Sequence, residues 1–429
     1  MHRRHFLAAS AAWPIANSLR AEPQPLLAPP KREKPATKKL AVVASAWWYL
    51  SHAYHIGGRF LNGYLKDGAY CYPDSEIVSA FVEQKKNDLS EKQAAKHGFR
   101  TCKSVAEALT LGTGKLAVDG VLLIGEHGDY PINDKGQRLY PRFEFFQKIV
   151  EVFRASGRSV PVFNDKHLSY DRKKGFEMVA TAKKLGFPMM AGSSLPVTWR
   201  RPELELPLGV KIREALLVSR GDIEVYGIHA LEALQCMVER RTNGQQGVKS
   251  VECLEGDAVW KAGDEDRWSW KLLAHALGRS QSRNVGDLKE NCTHFITPSN
   301  WVAPGGPRAF MIEYRDGLRA TILQLDGHVS DDTFAATLEG SEKPASTLFW
   351  LPPPPGAAFL EALAIQVERF MSTGQPPYPV ERTLLTGGIL DYALESRILK
   401  KKLETPDLDI SYIPPKDSGF QRGDYASPK

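Results

Sequence analysis

Apolar positions along the chain fall into two textures. In the first half, short apolar runs alternate with longer stretches of helical period. Residues 40–44, 77–82, 118–124 and 160–163 are apolar at almost every position, the mark of strands buried on both faces, and Met189-Met190 begins one more. Between them, residues 104–109 start a short helix with Ser104 and Glu107 in capping-box spacing, and residues 141–156 and 176–185 carry a helical period. Strands alternating with helices at this spacing predict parallel βαβ crossovers and a doubly wound, Rossmann-like α/β sheet ending near Pro196.

The second half reads differently. Residues 212–219, 310–325 (split by the turn Arg315-Asp316-Gly317), 333–338 and 346–351 alternate as antiparallel strands, and residues 228–240 and 357–371 are helical by period. This predicts an α+β domain with one mainly antiparallel open sheet. The expected organisation is therefore a leader over 1–21, a Pro/Lys-rich linker over 22–39, a Rossmann-like domain over 40–196 and an α+β domain over 197–429. No internal repeat is present.

Composition changes this picture little. With 429 residues, 42% apolar and 25% charged, the chain can bury two full cores without a disulfide or metal staple. The net charge of +6 invites a nucleic-acid reading, but its location removes it. Residues 1–39 hold eight basic and two acidic side chains, 8 − 2 = +6, so the remaining body is neutral and offers no footprint for polyanions. The five cysteines are odd in number, widely spaced and lack a C-x-x-C pair, which disfavours a disulfide framework or structural zinc.

Arg3-Arg4-His5-Phe6-Leu7 followed by an alanine run reads as a bacterial twin-arginine export signal, with cleavage expected near Ala21. Beyond it, no window of 18 consecutive apolar residues predicts a membrane span. The expected location is the periplasm or beyond.

Four local motifs, in order, give the chain a family likeness. Residues 118–124 (VDGVLLI) resemble a fourth Rossmann strand. Residues 162–168 (VFNDKHL) resemble a V-x-x-E-K-P-L segment, with Asp165 on the acid and Lys166 on the lysine. Residues 227–232 (GIHALE) resemble a G-x-H-x-x-D helix start, and residues 374–396 resemble a closing G-x-P-P…A…S helix. Together these resemble the glucose–fructose oxidoreductase / inositol dehydrogenase / MocA family (Gfo/Idh/MocA) over roughly residues 40–400. The resemblance implies an oxidoreductase acting on a sugar, glycoside or inositol with NAD or NADP. It implies Lys166 and His229 as the catalytic pair facing the nicotinamide ring, and Asp165 as the lysine's partner. It also implies a homo-oligomer formed through an exposed sheet face of the second domain. Removing hydride from a secondary alcohol needs a base for the hydroxyl proton and a cation for the developing alkoxide, tasks a lysine and a neutral histidine can share. Because a periplasm has no pool of free nicotinamide cofactor, an exported member would fold around its cofactor and keep it.

The sequence departs from the family at the first turn. Where G-x-G-x-x-[GA] is expected, it reads Ser45-Ala46-Trp47-Trp48-Tyr49-Leu50-Ser51-His52, with no glycine before Gly57-Gly58. A longer turn bringing the phosphates to Gly57 and Gly58 is the expectation, with Glu83 after the second strand as the ribose acid and Glu126 beside the cofactor. His52, His127, His167 and Tyr226 are expected as substrate contacts. His52, His55, Glu126 and His127 form an alternative divalent-metal set, although no metal is expected. Tyr54, Tyr226, Trp199, Trp268 and Trp270 are further stacking candidates, with core packing as the default for each. Two readings stay open beside the dehydrogenase: a cofactor-less lyase, hydrolase or epimerase, and a carbohydrate-binding protein on the same fold.

Overall fold

The computed structural model describes residue 29 and residues 32–66, 69–242, 244–294 and 306–423. The export leader over 1–21 lies outside the described residues, as does much of the linker after it. Six parallel strands form the first sheet: β1 (Lys38–Ala44), β2 (Ser75–Val82), β3 (Arg100–Cys102), β4 (Gly120–Ile124), β5 (Val162–Asp165) and β6 (Met189–Gly192). Their order is β3-β2-β1-β4-β5-β6, the doubly wound arrangement whose chain reversal opens a crevice between the carboxyl ends of β1 and β4.

The continuous apolar runs follow from burial on both faces. Leu40, Val42 and Ala44 point to one side and Ala41 and Val43 to the other, and all five are fully buried. The Ala41 side packs on α2 (Arg142–Ser156) and α3 (Arg172–Leu185) through Phe145, Phe146, Ile149 and Val179. The Leu40 side packs on α1 (His52–Asn62) and on a helix from the far end of the chain, α5 (Phe359–Thr373). Leu363, Val367 and Phe370 of α5 are spaced four and three apart and fully buried in that cluster, which contributes about 1.5–3 kcal/mol apiece. The chain therefore crosses the expected boundary at 196/197 to finish its first sheet.

The second sheet comprises β7 (Trp199–Arg201), β8 (Ile212–Ser219), β9 (Val248–Glu255), β10 (Arg308–Tyr314), β11 (Arg319–Gln324), β12 (Asp332–Leu338), β13 (Ala345–Trp350) and β14 (Leu403–Glu404). The order is β14-β9-β10-β11-β8-β12-β13-β7, antiparallel except for the β8/β11 pair. Against one face lie α4 (Ile223–Val238) and α6 (Glu381–Leu399). The other face, expected to be exposed and to drive oligomerisation, is covered in part, while Glu252 and Glu313 at its β9/β10 end remain partly exposed. Helices Asp257–Asp264 and Trp270–Leu277 lay Val259, Trp260 and Leu272 over Leu216, Val218 and Leu323. Trp268 is buried there with its indole N–H donating to Val259 O at 2.8 Å, so it serves packing. Four of the five cysteines are buried and all five are free. No helix among the described residues is long and apolar enough to cross a membrane.

One ion pair fastens α6 to the end of α4. Arg382 and Glu239 are both fully buried, with Arg382 Nε donating to Glu239 Oε2 at 2.9 Å and Nη2 to Oε1; the Tyr412 hydroxyl adds a third bond at 2.8 Å. Arg382→Met leaves Glu239 charged and unpaired. It should lower stability by about 3–5 kcal/mol, read as an earlier urea midpoint at unchanged slope, whereas Arg382→Met combined with Glu239→Leu should recover most of the loss.

Candidate functional site

The carboxyl ends of β1, β4, β5 and β6 converge on a cavity of about 610 Å³, closed from above by α4, β13 and the start of α5. Its polar wall is built from the loops that leave those strands. Ser45, directly after β1, donates its hydroxyl to the carbonyl oxygens of Glu126 and His127, each 2.9 Å from Oγ, which ties the first loop to the fourth.

Glu126 is the electrostatic centre. Lys166 Nζ donates to its Oε1 at 2.7 Å and Arg142 Nη2 donates to its Oε2. Burial alone would raise the Glu126 carboxyl, but Lys166 and Arg142 outweigh it and hold the group well below the usual range. Arg142, the first residue of α2, reaches Glu126 across Gly125, where a Cβ would stand 2.6 Å from Arg142 Cγ. Lys166 is aimed by its backbone: φ is 59°, in the left-handed region, and its N–H donates to Gly192 O at 3.1 Å. That turn sends Lys166 toward the cavity and His167 away from it.

Asp165 does not pair with Lys166, as the family likeness implied. Its Oδ2 accepts from His52 Nδ1 at 2.6 Å, and the lysine's partner is Glu126. With both oxygens engaged by cations, Glu126 serves to hold the lysine and is not free to hold a cofactor. His229, in the second turn of α4, has Nδ1 2.6 Å from Ser193 Oγ just after β6. Burial, then the charge of Lys166, pushes its imidazole well below the ordinary value, so it is neutral. Asp222 caps α4, accepting from the amides of Glu224 and Val225, which is why the helix starts before its apolar period becomes visible.

His52, His127 and Tyr226 line the cavity, with the Arg220 guanidinium 4.9 Å from the Tyr226 ring. His167 lines neither cavity described here. It is buried, and its Nε2 accepts from Arg142 at 3.4 Å. Gly57 and Gly58 form no turn; they lie in the middle of α1, which begins at His52 behind the N-cap Ser51. A Cβ on Gly57 would meet the Trp47 indole at 3.0 Å. Trp47 itself is buried in the core beside Phe99, while Trp48 stands on the rim 5.5 Å from the His127 ring. Glu83 does follow β2 at the expected edge, but its carboxylate accepts from the Tyr130 hydroxyl at 2.5 Å. The alternative metal set does not assemble: Glu126 is engaged by two cations, and among the described residues no three ligating side chains are placed to hold an ion. Of the aromatic candidates, Trp199 packs on Trp350, and it is Trp350 that lines the cavity.

A second cavity, of about 920 Å³, runs from the end of β2 to His127 and is lined by Trp48, Gln84, Asn87, Arg138, Tyr140 and Glu224. The two cavities share His127 and Val225. Glu224, Ser193, Arg142 and Trp350 are site residues that sequence patterns did not mark.

No family model matches the sequence, and no curated protein matches it. Solved structures match in fold. GenD2 from gentamicin A biosynthesis, in complex with NAD, is 12% identical, with 88% of this chain and 99% of that one covered and a TM-score of 0.54. A probable dehydrogenase from Thermotoga maritima is 11% identical, with 86% and 99% covered and a TM-score of 0.51. Myo-inositol dehydrogenase from Lactobacillus casei, in complex with NAD(H) and myo-inositol, is 10% identical, with 86% and 96% covered and a TM-score of 0.50. At these identities the likeness shows the fold, and it is the two-domain fold that the Gfo/Idh/MocA resemblance implied.

Glu224 makes no ion pair among the described residues, and burial followed by the charge of Glu126 raises its carboxyl from 4.5 to about 7. The folded state then holds this proton more tightly than the unfolded chain. Its contribution to stability is complete below 4.5 and declines as pH rises to about 7, by up to about 3 kcal/mol. Glu224→Gln should cancel that decline: urea unfolding at pH 5 and pH 8 should show the variant gaining on wild type only at the higher pH.

Proposed function

We propose that the protein is an exported oxidoreductase-type enzyme that binds a sugar, glycoside or inositol in the 610 Å³ cavity and uses a tightly held NAD or NADP. The observation that carries this reading is the meeting of Lys166 and His229 in one cavity at the carboxyl edge of the sheet, on a fold whose solved examples include NAD complexes. The residues present fit a dinucleotide in part. The first amides of α1, those of His52 and Ala53, have no intrahelical acceptor, and such amides are the donors that a diphosphate accepts from. Glu83 follows β2, where a ribose hydroxyl would be met, with its carboxylate accepting from the Tyr130 hydroxyl, and the second cavity begins at the neighbouring Gln84. When bound, the cofactor supplies hydride transfer.

The protein's own groups do the rest. The Lys166 ammonium, fixed by Glu126, offers a cation to an oxygen that gains negative charge as it loses its proton. His229, neutral and held through Nδ1, presents Nε2 as a hydrogen-bond partner for a substrate hydroxyl. Trp350 and Phe349 form an apolar wall suited to the C–H face of a pyranose or cyclitol.

One feature favours a second reading, a cofactor-less lyase or epimerase. Trp48 and Tyr49 replace the glycine turn, and Leu50 takes up the left-handed conformation there, with φ 65°. The two readings separate on purified protein. The first expects a nicotinamide dinucleotide in the ultraviolet spectrum of the denatured extract and oxidation of myo-inositol or a glucoside. Lys166→Met should then lower kcat by about 10²–10⁴-fold. A clean extract, together with no response to added NAD or NADP, would transfer the site to the second reading. Export rests on the leader alone: replacing Arg3 and Arg4 by Lys should leave a folded precursor in the cytoplasm, and unchanged secretion of that variant through the twin-arginine route would refute it.

A further inference from the structure

We infer that His52 is the proton-accepting residue of the site, with Asp165 as its positioning residue. The inference rests on the polyol reading of the cavity but not on which of the two chemistries follows, since both begin by taking a proton from a hydroxyl or a carbon beside a carbonyl.

The geometry separates His52 from every other candidate base. Its ring lies on the cavity wall with the side chain 18% exposed, while the carboxylate behind it is 2% exposed and receives Nδ1–H at 2.6 Å. A proton fixed on Nδ1 leaves Nε2 as the unprotonated nitrogen, and a buried carboxylate behind the ring stabilises the imidazolium that forms when Nε2 takes a second proton. Lys166 has no comparable freedom. Its ammonium is bonded to Glu126, whose other oxygen is held by Arg142, so releasing its proton would leave that carboxylate less well compensated.

The charged and titratable groups facing His52 agree with this division. Asp165 comes from β5, Glu126 and His127 from the loop after β4, His55 from the next turn of α1 and His229 from α4. Burial, reinforced by neighbouring cations, holds the other three imidazoles neutral: His55 down to about 4, His127 down to about 3 and His229 well below its ordinary value. None of those three has a carboxylate hydrogen-bonded to its ring among the described residues, whereas His52 does. The step is a simple transfer. The substrate O–H bond breaks, the proton goes to His52 Nε2, and the electron pair stays on the oxygen, whose charge the Lys166 ammonium of the same cavity offsets.

Two measurements on the full-length protein decide it. In histidine-¹⁵N-labelled protein, neutral His52 should show the Nδ1–H tautomer, and Asp165→Asn should shift the ring toward the Nε2–H tautomer. In turnover of myo-inositol or methyl glucosides with added NAD or NADP, His52→Gln should cut kcat by about 100-fold or more, leave KM within about threefold and leave nicotinamide retention unchanged. A His52 tautomer that ignores Asp165→Asn, or a His52→Gln variant keeping a tenth or more of wild-type kcat, overturns the inference while the polyol reading stands. If wild type turns over none of these probes and retains no cofactor, the oxidoreductase reading falls, and the ring tautomer alone then retains or rejects the pair.

Discussion

A carboxylate with almost no water around it organises this molecule. Glu126 can stay ionised in its buried position only because Lys166 and Arg142 both reach it, and each reaches it from a different element. Arg142 sets the first turn of α2, Lys166 sets the end of β5, and the Glu126 loop is fixed in turn by Ser45 after β1. Removing any one of the three charges would leave the others uncompensated, so strand ends that share no sequence proximity are locked to one geometry. The cavity inherits its shape from that lock. The left-handed backbone at Lys166 is tolerated because the ion pair and the bond to Gly192 over-determine it.

The same arrangement distributes charge among the imidazoles. Four histidines meet the cavity, and three of them sit where burial and cations exclude a second proton. Protons can therefore enter and leave at a restricted set of atoms, which is what an acid–base site on a hydroxylated substrate needs. The second cavity approaches this set at His127 and Val225, so whatever occupies it would touch the reacting region at one end only.

How much of this could be read from the residues follows from what each signal depends on. Five of the six parallel strands were legible because burial on both faces writes a continuous apolar run; the edge strand Arg100–Cys102, short and half polar, was not, and in the second sheet residues 212–219 were read with the bounds they have. Lys166 and His229 were legible through flanking motifs. α1 was not, since Gly57-Gly58 looks like a turn and each glycine costs a helix about 1 kcal/mol. The reason for Gly57 is the Trp47 indole packed on it, a contact between residues that no periodicity links. Partner choice was equally hidden. Asp165 neighbours Lys166 in sequence yet bonds His52, 113 positions away, and His167 faces inward because one left-handed residue precedes it.

The helix that covers the Leu40 side of the first sheet has a consequence for the order of events during synthesis. All six parallel strands emerge from the ribosome by Gly192, but α5 begins only at Phe359. Until then Leu40, Val42, Ile77 and Leu122 have half of their covering layer missing, and the sheet carries an apolar face that water penalises. The nascent chain must keep that face from other chains while the whole second sheet is made. Completion of the first cavity, whose upper wall is the start of α5, thus coincides with closure of the first core, and a chain stopped short of this helix has neither.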